Sequence, residues 1–173
     1  MKPLEPPDLH HLRSADGWLL LGNQNEASAD LERISPTMRS HPDVLEVYWQ
    51  LHARSQKWKA CLDIADAIIV LDPERASAWI QKAYAIRRAD SGGLQAAFDA
   101  LYPATRRFPR EPLIPFNLSC FACQLGRLED ACAWLRRAFE RAGNSDSKRH
   151  LRSMALDEPD LEPLWQRIGK LAR

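Results

Sequence analysis

Two cysteines three positions apart, Cys120 and Cys123, are the residues of this sequence best placed by type and spacing to do chemistry. C-x-x-C spacing serves two kinds of site. A zinc centre needs four ligands and presents such pairs on a tight turn. A redox pair sets its first thiol at a helix N-terminus, where the thiolate is stabilised. The residues around Cys120 read as helix, and the thiol falls about two turns into it. Cys61 and Cys132 complete no evident ligand set. Cysteines of a core or a groove wall account for the pair more simply, with a thiol-dependent enzyme using Cys120 or Cys123 kept as the alternative. The histidines are scattered: His10 and His11 adjoin, while His52 and His150 stand apart. None forms the pair four apart around a glutamate that a zinc hydrolase uses. Gly92-Gly93 lacks the preceding strand and following lysine of a phosphate-binding loop. The expected catalytic residues, metal ligands and cofactors are therefore none.

Composition narrows the classes further. The 173 residues suffice for one good-sized domain. With 24 basic against 23 acidic residues the formal net charge is +1, which argues against broad nucleic-acid binding. Four cysteines are too few for a disulfide scaffold and read as reduced thiols of a cytoplasmic protein. No run of about 18 apolar residues is present to span a membrane. The first eight residues lack the apolar core of a signal peptide. Charge is nevertheless uneven near the C-terminus. Arg136, Arg137, Arg141, Lys148, Arg149 and Arg152 precede Asp157, Glu158, Asp160 and Glu162. The two sets can pair and fix a terminal cap, the basic set can dock an acidic partner, or both are simple surface charge. Exposed pairs contribute only about 0–1 kcal/mol each, so simple surface charge is the preferred reading.

The positioning elements read as helices throughout. Leu128, Ala131, Leu135 and Ala138 are spaced 3, 4 and 3 apart, which lines one helix face. Small Ala131 and Ala138 admit a neighbouring helix, with Leu128 and Leu135 filling the gap. Trp58, Cys61, Ala65 and Ile68 repeat that spacing, as do Leu94, Ala97, Leu101 and Ala104. The pattern predicts helices over residues 7–21, 25–39, 42–54, 57–71, 75–88, 94–107, 112–124, 128–141, 148–155 and 161–171. Pro36 predicts a kink or an early end in the second, and Pro103 a bend in the sixth. Ser147 or Asp146 is the expected cap of the ninth. Leu164, Trp165, Ile168 and Leu171 form the expected stripe of the last. Trp18, Trp58, Trp79 and Trp165 are expected in packing, whereas Trp134 lies off the alanine stripe and is expected partly exposed.

These helix pairs resemble the tetratricopeptide repeat (TPR), bacterial type, whose 34-residue unit is a helix-turn-helix. Leu118, Ser119, Ala122, Gly126, Leu128, Ala131, Leu135 and Ala138 carry the clearest match. Trp79, Ala83 and Ile86, followed by Leu94, Ala97, Leu101, Ala104 and Pro109, carry another after a two-residue insertion in the turn. Tyr48, Trp49, His52, Trp58, Cys61, Ala65, Ile68 and Pro73 carry a third, with Gln56 where the family has glycine. The weakest is Ala15, Trp18, Gly22, Ala27, Leu31 and Ile34. The resemblance implies an all-α, right-handed superhelical solenoid of antiparallel helix pairs, with about ten helices in one domain over 1–173. Its repeats would span 8–41, 42–74, 75–110 and 111–142, closed by capping helices over 147–173 that cover the last apolar face.

The resemblance also implies a function. In that family the first helix of each pair faces a concave groove that binds segments of other proteins. Carried over by register, the groove wall comprises Glu46, Gln50 and Arg54, then Gln81, Tyr84, Arg87 and Arg88, then Asn117, Cys120 and Gln124. Arginines beside Tyr84 suit a carboxylate through charge-assisted hydrogen bonds. Asn117 suits a partner's backbone, since its amide both donates and accepts. The expected protein is a non-catalytic scaffold or adaptor, monomeric or weakly dimeric. It would hold a protein or peptide segment, an acidic one by the arginines, with no nucleic acid and no membrane. A structural assembly subunit without a peptide ligand is the further alternative. Chaperone-tail binding does not follow, because only Asn117 matches the carboxylate-clamp positions, and Ile80 and Tyr84 stand where that clamp has polar groups.

Overall fold

The computed structural model of the chain describes residues 3–171, and every regular element among them is helical. In order these are α1 (Asp8–Leu20), α2 (Gln24–Arg33), a 3-10 turn (Pro36–Met38), α3 (Pro42–Arg54) and α4 (Trp58–Leu71). Then come α5 (Ala76–Arg88), α6 (Leu94–Leu101), α7 (Ala104–Arg107), α8 (Leu113–Gln124) and α9 (Leu128–Arg141). α10 (Ser145–Asp157), a 3-10 segment (Pro159–Leu164) and α11 (Trp165–Leu171) complete the series. Two compact units divide the chain, Met1–Gln81 and Lys82–Arg173, with the division inside α5.

In the first unit α1 packs on α2, and α3 on α4. Leu12, Ala15 and Leu19 of α1 meet Ala27 and Leu31 of α2, with Ile34, Val44, Val47 and Leu51 closing the same core. Two carboxylates pin the first hairpin. Asp8, buried, accepts from the Ser35 backbone N–H at 2.8 Å and from its hydroxyl at 3.0 Å. Asp30, also buried, accepts from the Trp18 indole at 3.1 Å and from Arg33 at 2.9 Å. Each buried charge is thus hydrogen-bonded, the condition under which burial is tolerated. Pro36 ends the second helix early, one of the two outcomes its position predicts: Ile34 turns extended with ψ at 134°, and a 3-10 turn follows.

Three inter-helix turns share one geometry. Gly22, Gln56 and Gly126 have φ at 79°, 54° and 75°. Behind each, the next N–H reaches back five residues: Asn23 to the Trp18 carbonyl, Lys57 to His52 and Arg127 to Ala122, each at 2.9 Å. This is the Schellman cap, which satisfies the last carbonyls of the leading helix. A left-handed residue bearing a side chain costs about 1–2 kcal/mol, partly offset by glycine's larger unfolded-state entropy. Gln56→Gly is therefore expected to stabilise the first unit by roughly 0.5–1 kcal/mol, read as a higher urea midpoint.

In the second unit α8 is the central element. Ile114, Phe116 and every residue from Leu118 to Cys123 are buried, as befits a helix apolar on nearly all sides. It packs on α9 and α6, and the Ser119 hydroxyl donates to the Ala131 carbonyl at 2.8 Å. Ala131, Leu135 and Ala138 are wholly buried on α9, as their spacing predicts, but Leu128 is not. Leu128 opens the helix and remains 38% exposed, beyond the reach of the packed stripe. Trp134, expected partly exposed, is buried instead. Its ring meets Phe98 and Tyr102 edge-on at 6.3 and 5.9 Å, and the Arg137 guanidinium covers it at 4.4 Å. Pro103 breaks rather than bends its helix, leaving α6 and α7 as separate pieces.

The C-terminal elements also differ from the pattern. α10 starts three residues early because Asn144, not Ser147 or Asp146, caps it, accepting from the Ser147 N–H at 2.8 Å. The last helix is preceded by the 3-10 segment, in which Pro159 occupies the first turn and Glu158 accepts from the Asp160 N–H at 3.2 Å. Leu161, Leu164 and Ile168 are fully buried, while Trp165 is 38% exposed rather than packed. The side chain of the expected stripe residue Leu171 lies outside the described residues.

Candidate functional site

In the first unit, Glu46, Gln50 and Arg54 lie four apart on α3 and so share a face. Glu46 is already engaged, accepting from Arg75 at 2.9 Å and from the Ser77 hydroxyl at 2.5 Å. Arg75 also meets Asp43 at 2.7 Å and Asp72 at 2.9 Å. Burial works to lower the Arg75 pKa, but its bonds to Asp43 and Asp72 and the charge of Glu46 raise it on balance. This cluster ties the α4–α5 connection to α3. Gln50 is half-buried and Arg54 exposed; Gln81, on α5, is half-buried.

In the second unit the structure assembles a wall from α5 and α8. Arg88 stacks on Tyr84 of the preceding turn, its guanidinium carbon 3.5 Å from the ring centre. Arg87 lies 5.9 Å from the ring centre of Phe121 on α8. Cys120 and Gln124, four apart on α8, stand on one side of that helix. Asn117 turns back instead, donating to the Leu113 carbonyl at 2.8 Å, so its side-chain N–H groups are partly committed within α8.

A carboxylate already sits on this wall, and it belongs to the chain itself. Arg87 forms a two-pronged pair with Asp160: Nη2 donates to Oδ1 at 3.0 Å, and Nη1 donates to Oδ2. Gln124 donates its side-chain amide to the Asp160 backbone carbonyl at 3.3 Å. The 3-10 segment carrying Asp160 packs on both α8 and α9. The hydrogen bonds to Asp160 raise the Arg87 pKa against the opposing effect of burial. Arg88 is shifted down, chiefly by burial. Burial pushes the Cys120 thiol well up, and the carboxylates of Glu158 and Asp160 push it the same way.

Asp160, which occupies this wall, and Glu158 beside it stand in the sequence as part of an acidic run that does not by itself place them here. Their signal was the acidic run after α10, but the partner of Asp160 lies 73 positions upstream on α5 rather than in the neighbouring basic run. Other charged residues pair separately: Arg149 with Asp146 at 3.3 Å, and Arg167 with Glu129 at 2.9 and 3.2 Å. A cleft of about 680 Å³ between the start of α8 and α10 is lined by Glu111, Leu113, Asp146, His150 and Met154 among others, and by none of the wall residues.

The cysteines are all free and buried. Burial pushes the Cys61 thiol up to about 11 and raises those of Cys123 and Cys132. Such thiols stay protonated near neutral pH, which disfavours them as nucleophiles.

No protein-family model matches the sequence, and no curated protein matches it. Among solved structures, the crystal structure of MamA protein is similar at TM-score 0.60, covering 95% of this chain and 89% of that one at 16% sequence identity. That likeness establishes the fold class: an all-α, TPR-like helical solenoid. No helix among the described residues is long and apolar enough to cross a membrane.

Proposed function

We propose that the chain is a non-catalytic scaffold that holds an acidic segment of another protein against the α5–α8 wall. Tyr84, Arg87, Arg88, Cys120 and Gln124 form that wall, with Asn117 at its edge. Gln50 and Arg54, four apart on α3 and beside Glu46, would give the first unit a polar face of its own, with Gln81 on α5 as a further polar candidate. One observation carries the reading: Arg87 and Gln124 together grip both the side chain and the backbone of a single aspartate. A fork of N–H groups matched to a carboxylate gives geometric selection as well as strength. An amide on the adjacent carbonyl reads the peptide chain, whatever its side chains. Nothing in this arrangement requires a reacting group, so its chemistry is recognition.

The test is retention of host proteins on the immobilised chain, with Arg87→Glu as the contrasting variant. Wild type is expected to retain a defined set that Arg87→Glu loses at least tenfold, while helical content is unchanged. Equal retention by both proteins removes the reading.

A further inference from the structure

The segment occupying the wall defines the ligand. From the arrangement of residues 158–164 we infer that this site recognises an acidic turn of the pattern Glu-Pro-Asp-Leu-x-x-Leu in a partner protein, and that the chain's own copy is a tethered stand-in for it. The inference rests on the scaffold reading above and names its partner class.

Each position of the pattern has a separate physical role. Asp160 supplies the carboxylate for Arg87 and the backbone carbonyl for Gln124. Leu161 and Leu164 are fully buried, anchoring the turn by apolar burial. Pro159 fixes φ at the start of the turn, and Glu158 caps it through the Asp160 N–H. A turn that caps itself is preorganised, so little ordering is left for the moment of binding. Four of the six residues from 157 to 162 are acidic, matching the positive charge of adjacent Arg87 and Arg88. The bonds to Arg87 and Gln124 do not depend on covalent connection to α10, whereas the burial of Leu161 and Leu164 also draws on α10 and α11, which pack on the same segment. A segment with the same residues arriving from another protein makes the same bonds.

Displacement is also physically accessible. The Arg87 and Asp160 side chains are 20% and 19% exposed, so water and a competing carboxylate reach the pair. A tethered segment acts at an effective concentration on the order of millimolar. A partner must therefore bind with the affinity of the open wall reduced by the fraction of time it is open. Weakening the internal copy should raise the affinity for an external one without any change to the wall.

The probe is a fluorescent peptide copying residues 156–165, titrated into the full chain by anisotropy. Asp160→Asn keeps the shape of the side chain and removes its charge. This variant is expected to bind the peptide at least tenfold more tightly than wild type. Arg87→Glu in the same background is expected to abolish binding, as is replacing the peptide's own aspartate by asparagine. Equal affinity of wild type and Asp160→Asn, or binding indifferent to Arg87→Glu, overturns the inference. Hydrogen exchange on the wild-type chain gives a readout independent of the variant's folding. Saturating peptide should speed exchange of the amides at 160–162, and unchanged exchange counts against displacement. Dimerisation of the free chain that Arg87→Glu abolishes would assign the site to a second copy and overturn the partner assignment. If the peptide fails while Arg87-dependent retention of host proteins persists, the motif falls and the scaffold reading stands.

Discussion

Gly92→Ala is expected to destabilise the second unit by about 3 kcal/mol, although Gly92 lies in an exposed loop. A Cβ at this position would stand 1.8 Å from the Ile86 carbonyl oxygen and 2.8 Å from its carbon. Both atoms are backbone, so no side-chain rotation relieves the clash. The loop must shift, and the first bond at risk is the Gly93 N–H to the same Ile86 carbonyl, 3.1 Å long, which closes the end of α5. Gly93 leaves this turn with φ at 121° and ψ at 177°, a conformation reserved for glycine. The two-residue insertion in this repeat is thus accommodated by two glycines with different duties, one for space and one for its dihedral angles. Thermal melting of Gly92→Ala should show a loss of roughly 6–12 °C. Gly17→Ala is the contrast. Gly17 sits inside α1, and a Cβ added there would meet no neighbouring heavy atom within 4 Å, so alanine should add about 0.5–1 kcal/mol. If the two substitutions behave alike, the steric account of Gly92 is wrong.

The helices were legible in the sequence because their stripes recur at 3, 4 and 3. α3 and α9 occur with the bounds that spacing predicts. The errors lie where a local feature overrides periodicity. Pro103 splits one helix that was expected only to bend, and Asn144 starts α10 a turn early by capping it. The early end at Pro36, by contrast, was legible from the proline itself. Trp134 shows a different limit. The alanine stripe marks the face toward α8, but it carries no sign that Phe98 and Tyr102 enclose the adjoining face. Leu128 shows the converse, a residue in register with the stripe that lies too near the helix start to be covered. Of the wall, Arg87 and its neighbours were legible only through family register. Its occupant was not, since the pairing of Arg87 with Asp160 is non-local and neither periodicity nor charge runs encode it. The resemblance supplied a groove awaiting a ligand, whereas the folded chain supplies a carboxylate of its own.

Phe121→Ala should have a still larger effect than the loop substitution, and its consequences join the core to the wall. Phe121 is 1% exposed at the middle of α8, among neighbours buried on either side along the helix. Removing its ring forfeits the transfer energy and leaves a cavity that a helix packed all round cannot collapse to fill. Such truncations cost about 3–5 kcal/mol, a large share of the roughly 5–15 kcal/mol that holds a typical domain together. Arg87 also loses the aromatic surface beneath its guanidinium, worth about 0.5–1 kcal/mol. Its pairing with Asp160 then rests on a less rigid support. Two readouts separate these effects. Amide exchange in α8 and α9 should accelerate at least a hundredfold, the equivalent of about 3 kcal/mol, while α1 and α2 in the first unit are unaffected. Leu128→Ala, on the exposed first residue of α9, should change stability by no more than about 0.5 kcal/mol. A Phe121→Ala chain that melts like wild type would mean that α8 is not the element on which the second unit is built. The wall it presents would then lack the rigid backing that the proposed recognition of a single aspartate demands.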